Sequence, residues 1–238
     1  MDATDVKAFF EDRARRFDDS HPLVSVLYQD SNPGLAEARD RHEKETLVPL
    51  LGLKPTDRVL DIGCGIGRWA ERIAPEVAQY HGTDLVSSLV DLARTRFRKY
   101  ANVSFQTLGA QDHTPEALSC PPPFDLAIVA GVLVYVNDAD CFSVLRGLAS
   151  CCGPSGRVLI REPVGVLDRL TLKGVWSEEL RHSYSAIYRT IEEYIALFEK
   201  TLLLDGFVLL KQARLLPPGL SNRTETTQHY FLLARDGQ

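Results

Sequence analysis

Apolar residues recur along this chain in two rhythms, and the change between them marks its organisation. Residues 5–17 and 35–51 carry apolar positions at helical spacing, with a turn-rich stretch between them that holds His21-Pro22 and Ser31-Asn32-Pro33-Gly34. Gly52 and Pro55 close the second helical stretch. From Arg58 onward, short continuous apolar runs alternate with helical stretches. The runs are 58–62, 79–83, 103–106, 125–130 and 157–161; the helical stretches are 68–74, 86–99, a short one at 114–119, and 138–150. Runs that are apolar at every position suit strands covered on both faces by crossover helices. Five of them in succession predict a parallel, doubly wound sheet. Residues 163–189 show no clear period and read as an insertion. Thr190 and Glu193 have capping-box spacing, residues 191–204 have a helical apolar face, and Gly206 ends it. Two final strands, about 207–215 and 228–235, predict an antiparallel pair. The expectation is an α/β chain: a seven-stranded sheet, mostly parallel with an antiparallel last strand. A helical lid segment occupies residues 1–50, the main domain 51–238, and the insertion 163–189.

Composition narrows the partners. The 238 residues are 45% hydrophobic and 25% charged, an ordinary balance for a folded domain. Net charge is −5, from 27 basic and 32 acidic residues, which weighs against nucleic acid as a partner. The N-terminus mixes acids and bases without an apolar segment, so it reads as neither leader nor membrane anchor. Five cysteines, an odd number with Cys151 beside Cys152 and no C-x-x-C, read as reduced thiols in a cytoplasmic protein. The six histidines include no metal-ligand spacing, so no metal is expected. The oligomeric expectation is a monomer or homodimer. The phenylalanines at 9, 10 and 17 read as a helix packing onto the domain.

The strongest chemical signal is the run Val59-Leu60-Asp61-Ile62-Gly63-Cys64-Gly65-Ile66-Gly67-Arg68, in the order strand, glycine turn, helix. Glycines let backbone approach a ligand closely, and a helix start offers free N–H groups. One strand later stands Asp84, 23 residues after Asp61, where a carboxylate can accept from both hydroxyls of a ribose. Two kinds of nucleoside cofactor use such a site. A dinucleotide site wants G-x-G-x-x-G; here the spacing is G-x-G-x-G, and Arg68 holds the place of the dinucleotide's third glycine. Asp61 would repel a pyrophosphate but can accept from an α-ammonium group. A cofactor with a ribose and an amino-acid tail fits better than NAD.

At this point the chain resembles the class I S-adenosylmethionine-dependent methyltransferases. The resemblance rests on VLDIGCGIGRW (59–69), GTDLV (82–86), FDLAIVAGVLVYVND (124–138), GPSGRVLIREPV (153–164) and DGFVLL (205–210), in the family's order. It implies a Rossmann-like fold and S-adenosylmethionine as cofactor, with S-adenosylhomocysteine as product. Asp61, Gly63, Cys64, Gly65 and Gly67 would hold the methionine moiety, Asp84 the ribose, and Leu85 would pack on adenine. The acid that often reads the adenine amino group is missing from this chain, so Gly109, Ala110 and Gln111 would serve there. Ala130 and Gly131 would border the sulfonium. The N/D-P-P-Y of nucleic-acid amino-methylating members is also missing, which leaves a small molecule as acceptor. Segments 1–50 and 163–189 weakly resemble bacterial methyltransferases of small-molecule and sugar biosynthesis, pointing to N or O of an amino sugar or a secondary-metabolite intermediate. The alternatives are an NAD(P)-dependent oxidoreductase and a non-catalytic nucleoside-binding module.

Methyl transfer from a sulfonium is an in-line displacement that needs orientation and dryness, and a general base only where the acceptor binds protonated. The acceptor-side candidates therefore lie outside the shared motifs. Tyr28, in the turn Tyr28-Gln29-Asp30, Glu162 and His182 are the candidates for catalysis. Tyr135, Arg161, Tyr184 and Tyr188 are the candidates for substrate binding, with Arg223 and Glu225 in the last hairpin loop. Glu162 reads equally as a carboxylate paired with Arg161, and His182 as a surface histidine.

Overall fold

The computed structural model describes residues 1–28 and 31–235. Its centre is a seven-stranded sheet in the order β3-β2-β1-β4-β5-β9-β8. The strands are β1 (Arg58–Ile62), β2 (Gln79–Asp84), β3 (Val103–Thr107), β4 (Phe124–Ala130), β5 (Cys152–Gly165), β8 (Phe207–Arg214) and β9 (Thr226–Arg235). β1 to β5 pair in parallel, and β9 runs antiparallel between β5 and β8. This is the expected mostly parallel sheet with its reversed last strand. Among the described residues no helix is long and apolar enough to cross a membrane.

Side-chain alternation divides the core into two layers. Leu60, Ala127, Val129, Ile160 and Phe231 point to one face, where α5 (Asp138–Cys151) and α6 (Ile191–Glu199) cover them. Their strand neighbours Val59, Leu126, Ile128 and Leu159 point to the other. That face is covered by α2 (Pro33–Leu51), α3 (Ala70–Ile73) and α4 (Ser87–Arg96). The end of α2 thus belongs to the sheet's core through Leu47, Val48 and Leu51, which lie across the expected boundary at residue 50.

Two regions depart from the pattern read along the chain. The helix expected at 114–119 is a series of turns, because a segment of six residues gains too few hydrogen bonds to offset helix nucleation. The insertion is a two-stranded antiparallel sheet, β6 (Leu170–Ser177) and β7 (His182–Tyr188), whose register shifts between Leu172 and Val175. That irregularity breaks the two-residue period and hides the strands from a periodicity search. The hairpin is not free-standing. Its Tyr184, Ala186 and Tyr188 pack with Phe9 of α1 (Ala3–Arg15) and with Val134 after β4. Ala14 of α1 also meets Ile66 of the glycine turn and Leu89 of α4. The N-terminal helix and the insertion therefore close over the same end of the sheet, the C-terminal ends of its parallel strands.

A buried ion network fixes α2 in place. Asp40, Glu43 and Lys44 lie at i, i+3 and i+4 and share one buried face. Arg68 reaches from the start of the α3 region, donating to Asp40 Oδ1 at 2.7 Å and to Glu43 Oε1 at 2.9 Å. Arg161 at the end of β5 donates twice to Glu43, at 2.7 and 2.6 Å. Burial pushes the Glu43 carboxyl up, but the Arg161 and Arg68 guanidiniums outweigh it and hold it at about 2. Removing one member of such a buried set leaves an uncompensated charge. Glu43→Gln should therefore cost about 3–5 kcal/mol, a fall of roughly 6–20 °C in melting temperature at about 2–4 °C per kcal/mol. Differential scanning fluorimetry at pH 7 checks this, and a change within about 2 °C would show that α2 is held by its apolar face alone.

Candidate active site

The chain turns from β1 into α3 through Gly63, Gly65 and Gly67, all with left-handed backbone (φ 74°, 54° and 79°). A side chain on Gly63 would run into Val132 at 2.2 Å, so the loop after β4 sits directly against this turn. The third glycine answers a different need. A Cβ on Gly67 would meet Phe97 at 2.7 Å, so its role is close packing on the end of α4.

The turn's N–H groups already have partners inside the protein. Gly63 and Cys64 both donate to the Thr83 carbonyl at 2.8 Å, and Gly67 donates to the Cys64 carbonyl at 2.9 Å. Gly65 donates to Asp84 Oδ2 at 2.9 Å, while Val86 donates to Asp84 Oδ1 at 2.9 Å. Each Asp84 oxygen therefore keeps a lone pair for a further donor, as a pair of vicinal hydroxyls would supply. A pyrophosphate would find these N–H groups taken and two carboxylates, Asp61 and Asp84, close by. Burial pushes Asp84 above its ordinary range, and the two backbone N–H groups pull it back. Asp61 is 1% exposed beneath the turn. Its Oδ2 accepts from the Tyr80 hydroxyl, and its Oδ1 is buried without a partner among the described residues. Burial pushes Asp61 up to about 7, against the opposing pull of the Tyr80 hydroxyl and Arg68.

A cavity of about 300 Å³ opens above this turn, at the lower end of the roughly 300–1,000 Å³ of small-molecule sites. On its cofactor side it is walled by Gly63, Cys64, Gly65, Asp84 and Leu85, and continues past Ala110, Gln111, Ala130 and Gly131. Asp61, Gly67 and Gly109 lie behind the wall. Cys64 is no nucleophile in this setting: burial, aided by the charges of Asp84 and Asp61, holds its thiol well above the ordinary range.

The opposite side of the cavity is built by the lid and the insertion. The hydroxyls of Tyr28, Tyr135, Tyr184 and Tyr188 form a chain. Tyr28 touches Tyr135, Tyr135 lies 3.5 Å from Tyr184, and Tyr184 lies 2.9 Å from Tyr188. All four line the cavity, with Phe10 and Val26 beside them. Gln29 and Asp30 of the same turn fall outside the described residues. Arg161 also reaches the wall, but its guanidinium is engaged by Glu43 and by Gln228 at 3.2 Å.

Two expectations for catalysis need correction. Glu162 does not face the cavity, because it follows Arg161 along a strand and successive side chains point to opposite faces. It is fully buried on the α5/α6 side. There it gathers the N–H groups of Val132 at 2.8 Å, Leu133 at 2.9 Å and Val134 at 3.2 Å. Its carboxylate caps the 3-10 turn Leu133–Tyr135, while the Arg189 guanidinium binds the Leu133 and Val136 carbonyls at 2.7 Å each. Glu162 and Arg189 thus grip the loop that carries Tyr135. His182 is also off the wall: its ring packs on Phe9 and its Nδ1 meets the Ser183 carbonyl at 2.8 Å. The acids of α2 and the wall residues Arg39 and Arg68 were not read as site residues from the chain. Their polar spacing on α2 looks like any solvated helix face, and its burial is decided only when the sheet is assembled.

The fold is a doubly wound α/β domain with a cleft beside the glycine turn that follows β1. Residues 60–158 match the family described as "Methyltransferase domain". The chain is 30% identical over 122 residues to nodulation protein S of Rhizobium tropici, covering 51% of this chain and 49% of that one. Its fold is similar to the magnesium protoporphyrin IX methyltransferase of Synechocystis with bound S-adenosylhomocysteine. There the TM-score is 0.68 at 18% identity, over 99% of this chain and 100% of that one. It is similar also to N-methyltransferase NodS of Bradyrhizobium japonicum in complex with S-adenosylhomocysteine, with TM-score 0.59 at 14% identity over 95% and 98% of the two chains. The chain spans about half the length of that R. tropici relative. The match over residues 60–158 and these likenesses of fold support the resemblance to the class I S-adenosylmethionine-dependent methyltransferases, with S-adenosylmethionine as cofactor, over the oxidoreductase alternative.

The unpartnered carboxylate generates a prediction. Asp61 binds its proton more tightly in the folded chain, at about 7, than at its ordinary 3.8. A raised folded value means stability present below the ordinary value and lost as pH rises through the folded one. Asp61→Asn, which keeps the Tyr80 hydrogen bond and removes the charge, should match wild type at pH 4 and exceed it progressively up to pH 8. Melting temperatures of the unliganded protein across that range check the sign. A difference that shrinks as pH rises would show that Asp61 is stabilised as a carboxylate.

Proposed function

We propose that this chain transfers a methyl group from S-adenosylmethionine to nitrogen or oxygen of a small metabolite bound between the β4 loop and the tyrosine chain. The observation that carries the reading is the turn after β1. Its N–H groups are closed off from phosphate, two carboxylates stand around it, and a hydroxyl-lined chamber adjoins it. When bound, S-adenosylmethionine supplies a methyl group already activated by the positive sulfonium. Asp84 accepts from the ribose hydroxyls, Leu85 packs on the adenine, and Asp61, behind the turn, offers negative charge and a free lone pair toward the amino-acid tail. Ala130 and Gly131 leave space beside the methyl, and Phe10, Val26 and Tyr28 of the lid exclude water from it. Tyr135 is held by the Glu162–Arg189 grip, so its hydroxyl can orient the acceptor's lone pair. Orientation of this kind is worth roughly 7–11 kcal/mol. Among the described residues no group on the acceptor side is set up as a strong base, which favours an acceptor whose nucleophilic atom arrives with its lone pair unprotonated. An amino sugar or similar amine is the preferred acceptor, supported by the likeness to an N-methyltransferase.

The test has two parts. Isothermal titration should show S-adenosylhomocysteine binding to wild type. Asp84→Ala should weaken it at least roughly tenfold, because charge-assisted hydrogen bonds contribute about 1.5–3 kcal/mol each, without loss of helical circular dichroism. Incubation with S-adenosylmethionine and a panel of amino sugars, small amines and phenols should release S-adenosylhomocysteine with one or more of them. Binding without release across the panel would support a non-catalytic module, and unchanged affinity in Asp84→Ala would remove that residue from the site.

A further inference from the structure

The cavity has a second chemical pole, away from the cofactor turn. Its charged wall residues on the β5 side are satisfied within the protein, since Arg68 and Arg161 are matched by Asp40 and Glu43. Arg39 and Arg223 differ. Both line the cavity, on α2 and on the loop between β8 and β9, and neither makes an ion pair among the described residues. Arg39 is aimed by its own bonds. Its Nε donates to the Leu220 carbonyl at 2.7 Å and its Nη2 to Asn222 Oδ1 at 2.7 Å, which clasps the hairpin loop to α2. Its bond to Asn222 holds Arg39 against the residue next to Arg223, and beside the effect of burial the charge of Arg223 lowers Arg39 further from its ordinary value. Glu179 acts on Arg39 only from beyond ion-pair range. Tyr188, at the end of the tyrosine chain, lines the same cavity as Arg223, whose charge acts on its hydroxyl and on the nearby Glu225 carboxylate. Thr227, four residues after Arg223, also lines the cavity, and its Oγ1 is buried without a partner among the described residues.

We infer that the acceptor carries an anionic group, a carboxylate or a phosphate, held at this pole by Arg39, Arg223, Tyr188 and Thr227. The inference rests on the methyltransferase reading of the same cavity and names the class of its substrate. Two like charges side by side on a cavity wall repel each other, and an anion between them removes that cost and satisfies their remaining N–H groups bidentately. The hydroxyl chain supplies the second reason. Four hydroxyls own four protons and three links use three of them, so one donor is left over. An anion beside Arg223 draws that donor to Tyr188. Every hydroxyl then donates in the same direction, and the Tyr28 oxygen is left as the accepting end, suited to the N–H or O–H of the group to be methylated. The acceptor therefore spans the chamber, with its nucleophile at the lid end and its anion at the hairpin end.

The test uses the full chain saturated with S-adenosylhomocysteine, into which inorganic phosphate or sodium acetate is titrated at constant ionic strength held with chloride. Saturable binding of one or both is expected, and the tighter of the two distinguishes a phosphate from a carboxylate. Arg223→Ala, at an exposed loop position, should weaken it roughly tenfold or more, and Arg223→Lys by less, because the charge stays and the fork is lost. The affinity for S-adenosylhomocysteine should be unchanged in both. Absence of saturation by either anion, or binding indifferent to Arg223→Ala, overturns the inference. Failure of S-adenosylhomocysteine to bind wild type would instead overturn the parent reading.

Discussion

Glu43 is the residue on which the arrangement of the site depends. It is buried on α2, and its two oxygens are shared between Arg68, which follows the glycine turn, and Arg161, which ends β5. Three separate parts of the chain are therefore fixed relative to one another by a single carboxylate. Such a set contributes less to net stability than its Coulomb attraction suggests, because three charges are desolvated to make it. What it contributes here is position. With α2 fixed, Arg39 is carried to the hairpin loop, and the turn before α2 brings Val26 and Tyr28 over the glycine turn.

The site then has two grips of opposite sign. On one side of the sheet, backbone N–H groups of the glycine turn are closed onto Thr83 and Asp84, which leaves an acidic, phosphate-averse cradle. On the other, Glu162 collects the N–H groups at the start of a 3-10 turn while Arg189 collects the carbonyls at its end. A short 3-10 turn has weak internal bonding, and it is held here by charged side chains at both termini, as the dipole of a helical turn favours. The loop carrying Tyr135 is thus held at both ends, and neither Glu162 nor Arg189 lines the chamber. Adjacent residues serve different structures, Arg161 the Glu43 network and Glu162 this 3-10 turn, because a strand sends them to opposite faces.

Much of the fold was legible in the chain. The five buried strands, the order of strand, glycine turn and helix, and the reversed last strand follow from local rules of periodicity and turn chemistry. So does the meeting of the glycine turn with Asp84, since parallel pairing of β1 with β2 brings the two strand ends together. The insertion was not legible as a hairpin, because its register shift breaks the two-residue alternation. His182 and Glu162 were misread for related reasons. A polar residue at a strand end faces either the ligand or the far layer, and the chain alone carries no marker for which.

What the amino-acid sequence determined by itself is the sheet, its helices and the acidic glycine turn with Asp84 beside it, since each follows from residues near one another along the chain or from the regular period of a strand. The tertiary structure alone decided the hydroxyl-lined chamber that adjoins the turn. Its four tyrosines come from residues 28, 135, 184 and 188, and the two arginines that make no ion pair among the described residues from 39 and 223. They meet because α1 and the β6–β7 hairpin bury apolar faces against each other and because Glu43 anchors α2. Side chains that share a wall through long-range packing leave no local spacing in the sequence, and the chemistry they create together exists only after the chain has closed.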